Sequence, residues 1–345
     1  MTELEIPLPF DAHVHLRDGD ALAAVADATA RCFGGALVMP NLKPPVRTAA
    51  DALAYRDRIE AAVDPSLAFT AHPALYLTDY TTPAMISEAR GAGLLAAKLY
   101  PAGATTHSDA GVTDVRRLDP VFDRMAEDGL ALCVHGEVTD QTVDIFDREQ
   151  VFIEQILSPL VDRHPRLRVV LEHVTTAEGV AFVRGAREGI AATVTAHHLL
   201  IDRNAMFQGG IRPHHYCLPV PKRARHRDAL LDAVTRDNRR FFLGTDSAPH
   251  ARGAKEAACG CAGVYTARDA IGLYAEAFAR RDALSQLAAF ASELGPVFYG
   301  LPVDHRRLRV VAQEVRVPAS LPFGADELVP FRAGEVVRFH AARVA

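Results

Sequence analysis

Eight short apolar segments recur along the chain, and helix-like segments separate them. The apolar segments span residues 10–16, 36–40, 68–77, 94–100, 130–135, 167–174, 190–197 and 241–245. Amphipathic stretches such as 20–33, 49–63, 82–92, 115–127 and 176–188 lie between them. Strands that alternate with helices are typical of a parallel sheet with crossover connections, and nearly continuous apolar strands indicate burial on both faces. Eight such units favour a single (β/α)8 barrel of the TIM type, an α/β fold.

The rest of the sequence fits one domain with a short extension. A length of 345 residues lies within the range of α/β barrels, which often exceed about 250 residues as one unit. Residues 268–290 are predicted to form one or two helices. Residues 303–345 contain several prolines and a strand-like run at 335–339, and are too few for an independent domain. We therefore predict one domain over residues 1–345, with residues 303–345 as a C-terminal extension.

Composition and charge argue against several kinds of partner. The formal net charge is −5 with the two signs interspersed, so we expect no nucleic-acid-binding surface. We also expect neither a membrane span nor a secretory signal, because no run of about 18 apolar residues occurs and the N-terminal residues are acidic. The cysteines are odd in number and scattered, which suits free thiols in the cytoplasm. They are Cys32, Cys133, Cys217, Cys259 and Cys261, of which the last two are interpreted as part of a glycine-rich loop rather than a zinc site.

Two histidines near the end of the first apolar segment form a candidate half-site for a metal ion. His13 and His15 are one residue apart, and side chains in a strand alternate, so both imidazoles should project to the same face. Neutral imidazoles bind borderline metals such as zinc. Taken alone, the pair fits two buried, hydrogen-bonded histidines equally well, because short motifs of this kind are often false positives.

Other candidate ligands end four further apolar segments. They are Lys98, His135, His173 and Asp246, in strands four, five, six and eight. The carboxyl ends of barrel strands form one rim, so these side chains should meet the two histidines of strand one. Four histidines and an aspartate are sufficient to bind two divalent ions of the zinc type.

Lys98 is unusual because it lies among apolar residues. A buried ammonium group is costly, so this lysine must be paired or neutral. A carboxylate neighbour is the simpler explanation for the lysine alone. Carboxylation by carbon dioxide would instead turn the amine into an anion able to bridge two metal ions, and the four converging histidines favour that alternative.

A set of short motifs identifies a family. HVHLRD, MPN, KLYPA, GATT, VHGE, EHVTT, GGIRPH, YCLP, GTDSAPHA and CGCAG occur in this order. Together they resemble the class II dihydroorotases of the amidohydrolase superfamily, over residues 10–302. The two histidines of strand one with an aspartate in strand eight would alone indicate only the superfamily. Hydantoinase-like relatives build a β-sandwich from residues before the first strand, and a first strand at residue 10 is expected to leave no room for one.

The resemblance implies specific roles for the candidate residues. The implied metal ligands are His13, His15 and Asp246 for the first zinc ion, His135 and His173 for the second, and Lys98 as a bridging N6-carboxylysine. The implied substrate-binding residues are His15, Arg17, Asn41, His135, Leu218, His250 and Ala262. Asp246 is the implied catalytic base. A guanidinium group is well suited to bind a substrate carboxylate, although Arg17 alone would fit a surface ion pair, His250 a loop residue and Asn41 a turn.

The implied activity is the reversible, zinc-dependent cyclisation of N-carbamoyl-L-aspartate to dihydroorotate and water. This reaction is the third step of de novo pyrimidine (UMP) biosynthesis, and the family implies a cytoplasmic homodimer with two zinc ions per subunit. Hydantoinase or allantoinase chemistry and a catalytically inactive scaffold are the alternatives. The inactive scaffold would be indicated by missing metal ligands, and all six are present.

Two other features are assigned provisional roles. His197 and His198 end strand seven and are interpreted as structural or supporting residues, and His214 and His215 lack metal-ligand spacing. Residues 101–113 are rich in Gly, Thr and Ser and are predicted to form a mobile lid that brings Thr105 and Thr106 onto the substrate.

Overall fold

The computed structural model describes residues 3–236 and 238–344. The strands in these ranges are β1 (Glu3–Pro7), β2 (Phe10–Val14), β3 (Gly35–Val38), β4 (Thr70–Pro73), β5 (Leu75–Tyr76), β6 (Ala96–Leu99), β7 (Ala131–Val134), β8 (Val169–Leu171), β9 (Ile190–Val194), β10 (Phe241–Leu243), β11 (Arg307–Val311), β12 (Val315–Arg316), β13 (Leu321–Phe323), β14 (Asp326–Leu328), β15 (Val336–Val337) and β16 (His340–Arg343).

The α-helices are α1 (Leu22–Cys32), α2 (Ala49–Ala61), α3 (Pro83–Gly91), α4 (Asp119–Asp128), α5 (Arg148–Phe152), α6 (Ser158–Arg163), α7 (Ala177–Gly185), α8 (Ala196–Leu200), α9 (Ala224–Thr235), α10 (Arg252–Lys255), α11 (Ala270–Ala279) and α12 (Leu294–Tyr299). Two π-helical segments (Ile153–Leu157 and Ala289–Glu293) and seven short 3-10 segments (Gly19–Ala21, Pro65–Leu67, Val115–Leu118, Arg203–Met206, Pro213–His215, Ala267–Asp269 and Leu284–Gln286) complete the helical structure in the described ranges. None of the helices in these ranges has the length and apolar character needed to cross a bilayer.

The strands from β2 to β10 form a closed parallel barrel. β2, β3 and β4 pair in order, and β5 to β10 pair in order, with one residue separating β4 from β5. Closure occurs between the first and last barrel strands, where the Asp246 amide donates to the His13 carbonyl at 2.8 Å and the His15 amide donates to the Ser247 carbonyl at 3.1 Å. Counting β4 and β5 as one interrupted strand gives eight, so the prediction of a (β/α)8 barrel is confirmed.

Apolar side chains fill both faces of the barrel sheet, as strands buried on both sides require. Small inward-facing residues such as Ala12 and Ala96 pack with Phe242 inside the barrel. Tyr299 from α12 joins this inner group, and α12 contacts both β2 and β10. Because this helix packs against the inner group, the opposite end, where the strands have their carboxyl termini, is the end available for a site.

Threonine caps begin several of the barrel helices. The Thr48 hydroxyl accepts from the Asp51 amide, and the Asp51 carboxylate accepts from the Thr48 amide, which is a complete capping box. Thr82 caps α3 with Pro83 in its first turn, and Thr176 caps α7. Each cap fixes the residue at which its helix begins, after the loop that follows the preceding strand.

The structure differs from the sequence-based interpretation in its terminal strands. Residues 3–7 form β1, which pairs antiparallel with β11, and β11 pairs with β16. The short strands from β12 to β15 also form two antiparallel pairs, and only Val336–Val337 of the run at 335–339 is a strand. These strands have two to five residues, and the partners of β1 are about 300 positions away, so local periodicity did not reveal them.

Strand seven is also shorter than predicted. β9 ends at Val194, and the Thr195 side chain accepts from the His198 amide to begin α8. His197 and His198 therefore lie on a short buried helix and not on the strand. The apolar run continues because both the strand and the helix are buried, which is why periodicity did not separate them.

Candidate metal centre and substrate cavity

A small cavity lies at the carboxyl ends of the barrel strands. Among the predicted site residues, its lining includes His13, His15, Arg17, Asn41, His135, His173, Leu218, Asp246 and Ala262. The predicted loop residues Thr105 and Thr106 also line it, together with Tyr100. Residues that are more than 200 positions apart in the sequence therefore meet at one rim.

His13, His15 and Asp246 form a buried group of donors. Asp246 Oδ1 lies 3.4 Å from His13 Nε2 and 3.0 Å from His15 Nε2, and one ligand atom from each residue lies within 4.8 Å of the others. Burial would raise the pKa of Asp246, but hydrogen bonds from both histidines outweigh it and hold the pKa well below its usual value. The carboxylate is therefore ionised, which is the form that binds a cation.

His135 and His173 lie beside this group. Their ring centroids are 4.9 Å apart, and the His173 ring is 5.0 Å from that of His13. Glu137 holds His135 Nε2 at 2.9 Å, whereas His173 Nδ1 is buried without a hydrogen-bond partner among the described residues. Burial, followed by the charge of Lys98, lowers the pKa of His173 well below its usual value, so the ring is a neutral ligand.

Lys98 is completely buried, with 0% of its surface exposed. Within the described residues, its Nζ has no hydrogen-bond partner and no carboxylate at ion-pair distance, and it lies 5.1 Å from the centroid of the Tyr100 ring. The described part of the chain therefore shows no direct ion pair for this lysine, although the charges of Glu172 and Asp246 act on the amine and oppose the effect of burial on its pKa. Burial lowers the pKa of this amine. Four histidines, an ionised carboxylate and an unpartnered amine are a donor set that fits divalent metal ions of the zinc type.

Three buried acidic residues lie around the histidines, two of them against histidine rings, and the sequence-based interpretation assigned them no role. Glu172 Oε2 lies 2.7 Å from His13 Nδ1 and accepts from the Thr193 hydroxyl at 2.5 Å. The Asp11 carboxyl group accepts from the Thr245 amide and hydroxyl and from the His13 backbone amide, and burial raises its pKa to about 7. Glu137 is the third. Carboxylates that hold one histidine nitrogen fix the ring so that the other nitrogen can bind metal.

The alternation of side chains along a strand could have identified Glu172 as a residue of the site. Val170 packs inside the barrel, so Glu172, two residues later, points to the same face. His173 should then point outward, but its backbone has a φ of +40° and turns the ring to the cavity. Such a left-handed conformation is costly for a residue other than glycine, typically about 1–3 kcal/mol, and clusters at functional sites. Asp246, with a φ of +43°, is held in the same way.

Arg17 and His250 form a polar group at the edge of the cavity. Arg17 Nε donates to the Pro249 carbonyl at 2.9 Å, and Nη2 lies 3.0 Å from His250 Nε2. Burial, and then the charges of Arg17 and Lys255, lower the pKa of His250 to about 2, so the imidazole is neutral. The guanidinium is thus held in place as a cationic donor for an anionic group.

The loop over residues 101–113 covers the cavity through polar contacts. Asn41 Nδ2 donates to the Thr106 carbonyl at 3.0 Å, and the Thr106 hydroxyl donates to the Ala262 carbonyl at 3.3 Å. The Tyr76 hydroxyl donates to the His107 carbonyl at 3.3 Å. Polar contacts rather than a hydrophobic anchor therefore hold the tip of this loop at the rim.

The other histidine pairs lie apart from the cavity lining. His198 Nδ1 contacts the Thr195 hydroxyl at 2.7 Å and Nε2 contacts the Pro219 carbonyl at 3.0 Å. His214 Nε2 pairs with Glu256 on the surface, and His215 Nδ1 contacts a backbone carbonyl. These contacts give His198, His214 and His215 hydrogen-bonding roles.

Comparisons with known proteins agree with this geometry. The family model described as Amidohydrolase family matches residues 7–304. A curated dihydroorotase from Azoarcus sp. (strain BH72) is 61% identical over 332 residues, or 96% of each chain. The structure of the Saccharomyces cerevisiae dihydroorotase in complex with 5-fluoroorotic acid has a TM-score of 0.92 at 30% identity, over 99% of each chain. The Campylobacter jejuni dihydroorotase structure has a TM-score of 0.90 at 32% identity, over 99% of this chain and 98% of its own. The chain therefore belongs to the amidohydrolase family and, within it, to the dihydroorotases.

Proposed function

We propose that this hydrolase interconverts N-carbamoyl-L-aspartate and dihydroorotate in its rim cavity, as the third step of de novo pyrimidine biosynthesis. The observation that carries the proposal is the convergence of five metal-type donors beside a fixed guanidinium group, with the buried amine of Lys98 close enough to act on His173. The yeast relative, whose structure contains 5-fluoroorotic acid, supports a pyrimidine carboxylate as the kind of ligand.

The proposed cofactor is a pair of zinc ions. His13, His15 and Asp246 would hold one ion, and His135 with His173 would hold the other. Lys98, carboxylated on Nζ, would bridge the two. A buried amine with a lowered pKa supports this modification, because the neutral amine is the form that reacts with carbon dioxide. Once bound, the two ions would polarise the ring amide carbonyl and lower the pKa of a water molecule toward about 7.

Asp246 would move the proton during ring opening. Its ionised carboxylate would accept the proton of the attacking water as the carbon–oxygen bond forms. It would return that proton to the ring nitrogen as the carbon–nitrogen bond breaks. In the direction of ring closure, the same carboxylate takes the proton from the ureido nitrogen, and water leaves.

Arg17 would select the substrate through its carboxylate. Its Nε and Nη2 atoms are already held by Pro249 and His250, so the planar guanidinium loses little freedom when it binds. Asn41 and the backbone groups of Leu218 and Ala262 would contact the remaining polar groups of the ring, together with His15 and His135. A hydantoinase-like ring without the carboxylate would leave this cation without a partner, which argues against that alternative.

We also propose that the chain works as one domain with residues 303–345 as its extension, because β1 and β11 join the two ends in one sheet. The five free cysteines, three of them buried, support a reducing cytoplasm. A homodimer is proposed as well. Phe207 and Ile211 lie in the connection between β9 and β10 and are 62% and 85% exposed, so they offer apolar surface for such an interface. Sedimentation equilibrium would test the oligomeric state.

An ultraviolet assay of dihydroorotate hydrolysis tests the proposal. We expect turnover by the purified enzyme, loss of turnover after chelation, and recovery when zinc is added back. Metal analysis of the same samples should follow activity and approach two ions per chain. Full turnover by metal-depleted enzyme, or no turnover of dihydroorotate by metal-loaded enzyme, would contradict the proposal.

A further inference from the structure

Lys255 is a second buried lysine near the cavity, and all three of its ammonium protons have partners. It ends α10 and is 3% exposed. Its Nζ donates to the carbonyls of Tyr216 at 2.8 Å, Cys261 at 2.7 Å and Gly263 at 2.7 Å. A lysine ammonium has three donors and no acceptor, so this arrangement uses its full capacity.

The three carbonyls belong to two segments of the cavity wall. Tyr216 precedes Leu218 by two residues, and both Leu218 and Ala262 line the cavity. Cys261 and Gly263 lie on either side of Ala262. The Gly263 amide also donates to the Tyr216 carbonyl at 3.0 Å, so one direct bond and one shared ammonium join the segments.

The contacts of Ala262 differ from those of its two neighbours. Lys255 holds the carbonyls before and after it, whereas the Ala262 carbonyl lies 3.3 Å from the Thr106 hydroxyl and 3.0 Å from His250 Nε2. The ammonium therefore fixes the orientation of this segment from behind while the Ala262 carbonyl meets the loop and the polar group at the cavity edge.

We propose that Lys255 is a positioning residue that sets substrate affinity by holding the backbone of Leu218 and Ala262 at the cavity. The proposal rests on the proposed function, in which those two backbones contact the ring. Lys255 itself need not touch the substrate, and it is not in the cavity lining. Removing its charge should therefore affect KM more than kcat, because the proton-transfer group Asp246 lies on another segment.

The hydrogen bonds from Lys255 to the three carbonyls depend on its protonation, and therefore on pH. Burial lowers its pKa to about 8, and the neighbouring Cys217 and Cys261 thiols act in the opposite direction. The centroid of the Tyr216 ring lies 5.7 Å from Nζ. The positive charge of Lys255 also helps to lower the pKa of His250 and of His197. Because the pKa of Lys255 is lowered, the ammonium is present below about pH 8 and is lost as the pH rises. The neutral amine has two N–H donors for three carbonyls.

The first test is Lys255→Met in the zinc-loaded enzyme, with Arg252→Met as a control that removes an exposed charge from the same helix. We expect KM for dihydroorotate to rise about ten- to a hundredfold, the scale of one charge-assisted hydrogen bond, with kcat within a few-fold and metal content unchanged. The control should keep its KM. A lower melting temperature with unchanged KM and kcat would show a merely structural role and overturn the proposal.

If the Lys255→Met variant fails to fold, Lys255→Arg keeps the proposal falsifiable. The wild-type KM should rise above about pH 8, whereas the arginine variant, which stays protonated, should lose that dependence. The same KM profile in both enzymes would overturn the role of Lys255. Wild-type enzyme that does not turn over dihydroorotate would instead overturn the proposed function, and the inference with it.

Discussion

Two buried clusters of metal-type donors occur in the described part of the chain, and their surroundings differ. One consists of His13, His15 and Asp246, and the other of His197, His198 and Cys217. In each cluster the ligand atoms lie within 4.8 Å of one another. The first contains an ionised carboxylate and is supported by Glu172, whereas the second has a thiol and two neutral rings.

In the second cluster His198 and Cys217 already have hydrogen-bond partners, whereas neither nitrogen of the buried His197 ring has one among the described residues. Both nitrogens of His198 have partners, and the Cys217 thiol donates to the Pro219 carbonyl at 3.3 Å. Burial raises the pKa of that thiol, which disfavours the thiolate that a metal needs. Proximity of donors is therefore not enough for a metal site. The negative charge of Asp246 and the support of Glu172 distinguish the first cluster, and we expect metal there and not in the second.

Lys98→Ala should cause the largest loss of activity and of bound metal. Loss of the bridging group should abolish hydrolysis of dihydroorotate and reduce bound metal, whereas His197→Gln in the other cluster should keep both metal and activity. Elemental analysis and the ultraviolet assay measure the two outcomes. Full activity with two metal ions in the Lys98→Ala protein would rule out the bridging role.

Asp246→Asn should separate metal binding from proton transfer. The amide oxygen can still serve as a ligand, but the base is lost, so turnover should fall by about 10²–10⁴-fold while metal content changes less. Steady-state kinetics with metal analysis would show this. Near-normal turnover would mean that another group is the base.

Arg17→Met should weaken selectivity for the carboxylate. Loss of a charge-assisted pair leaves the substrate anion without a partner and should cost about 2–5 kcal/mol on dihydroorotate. Dihydrouracil lacks the carboxylate and should lose less. The comparison of kcat/KM for the two compounds is the measurement, and equal losses on both would indicate a structural role for Arg17.

Thr105→Ala/Thr106→Ala should have the smallest of these effects. The loop is held at the rim by polar contacts and is predicted to open and close, so truncation should depress turnover and leave the metal content unchanged. Crystals with substrate and with product should show the loop in different positions. Unchanged turnover, or the same loop position with every ligand, would contradict the lid.

Much of the fold and the candidate ligand set could be predicted because both depend on local patterns. Apolar runs locate barrel strands, and a polar residue that ends such a run lies at the rim. The pairing of β1 with β11 depends on residues far apart in the sequence. Strand alternation predicts opposite faces for the neighbours Glu172 and His173. The φ of +40° at His173 brings both side chains to one site, and the sequence pattern does not reveal that backbone conformation. Lys255 lies in no apolar strand, and its three carbonyl partners are visible only after folding.

Diffraction data collected at the zinc absorption edge, from crystals grown with zinc, test the central claim most directly. We predict two anomalous peaks, one beside His13, His15 and Asp246 and one beside His135 and His173, with density extending from Lys98 Nζ between them. We predict no peak among His197, His198 and Cys217. A single peak in that second cluster, or rim donors without any peak, would contradict the account.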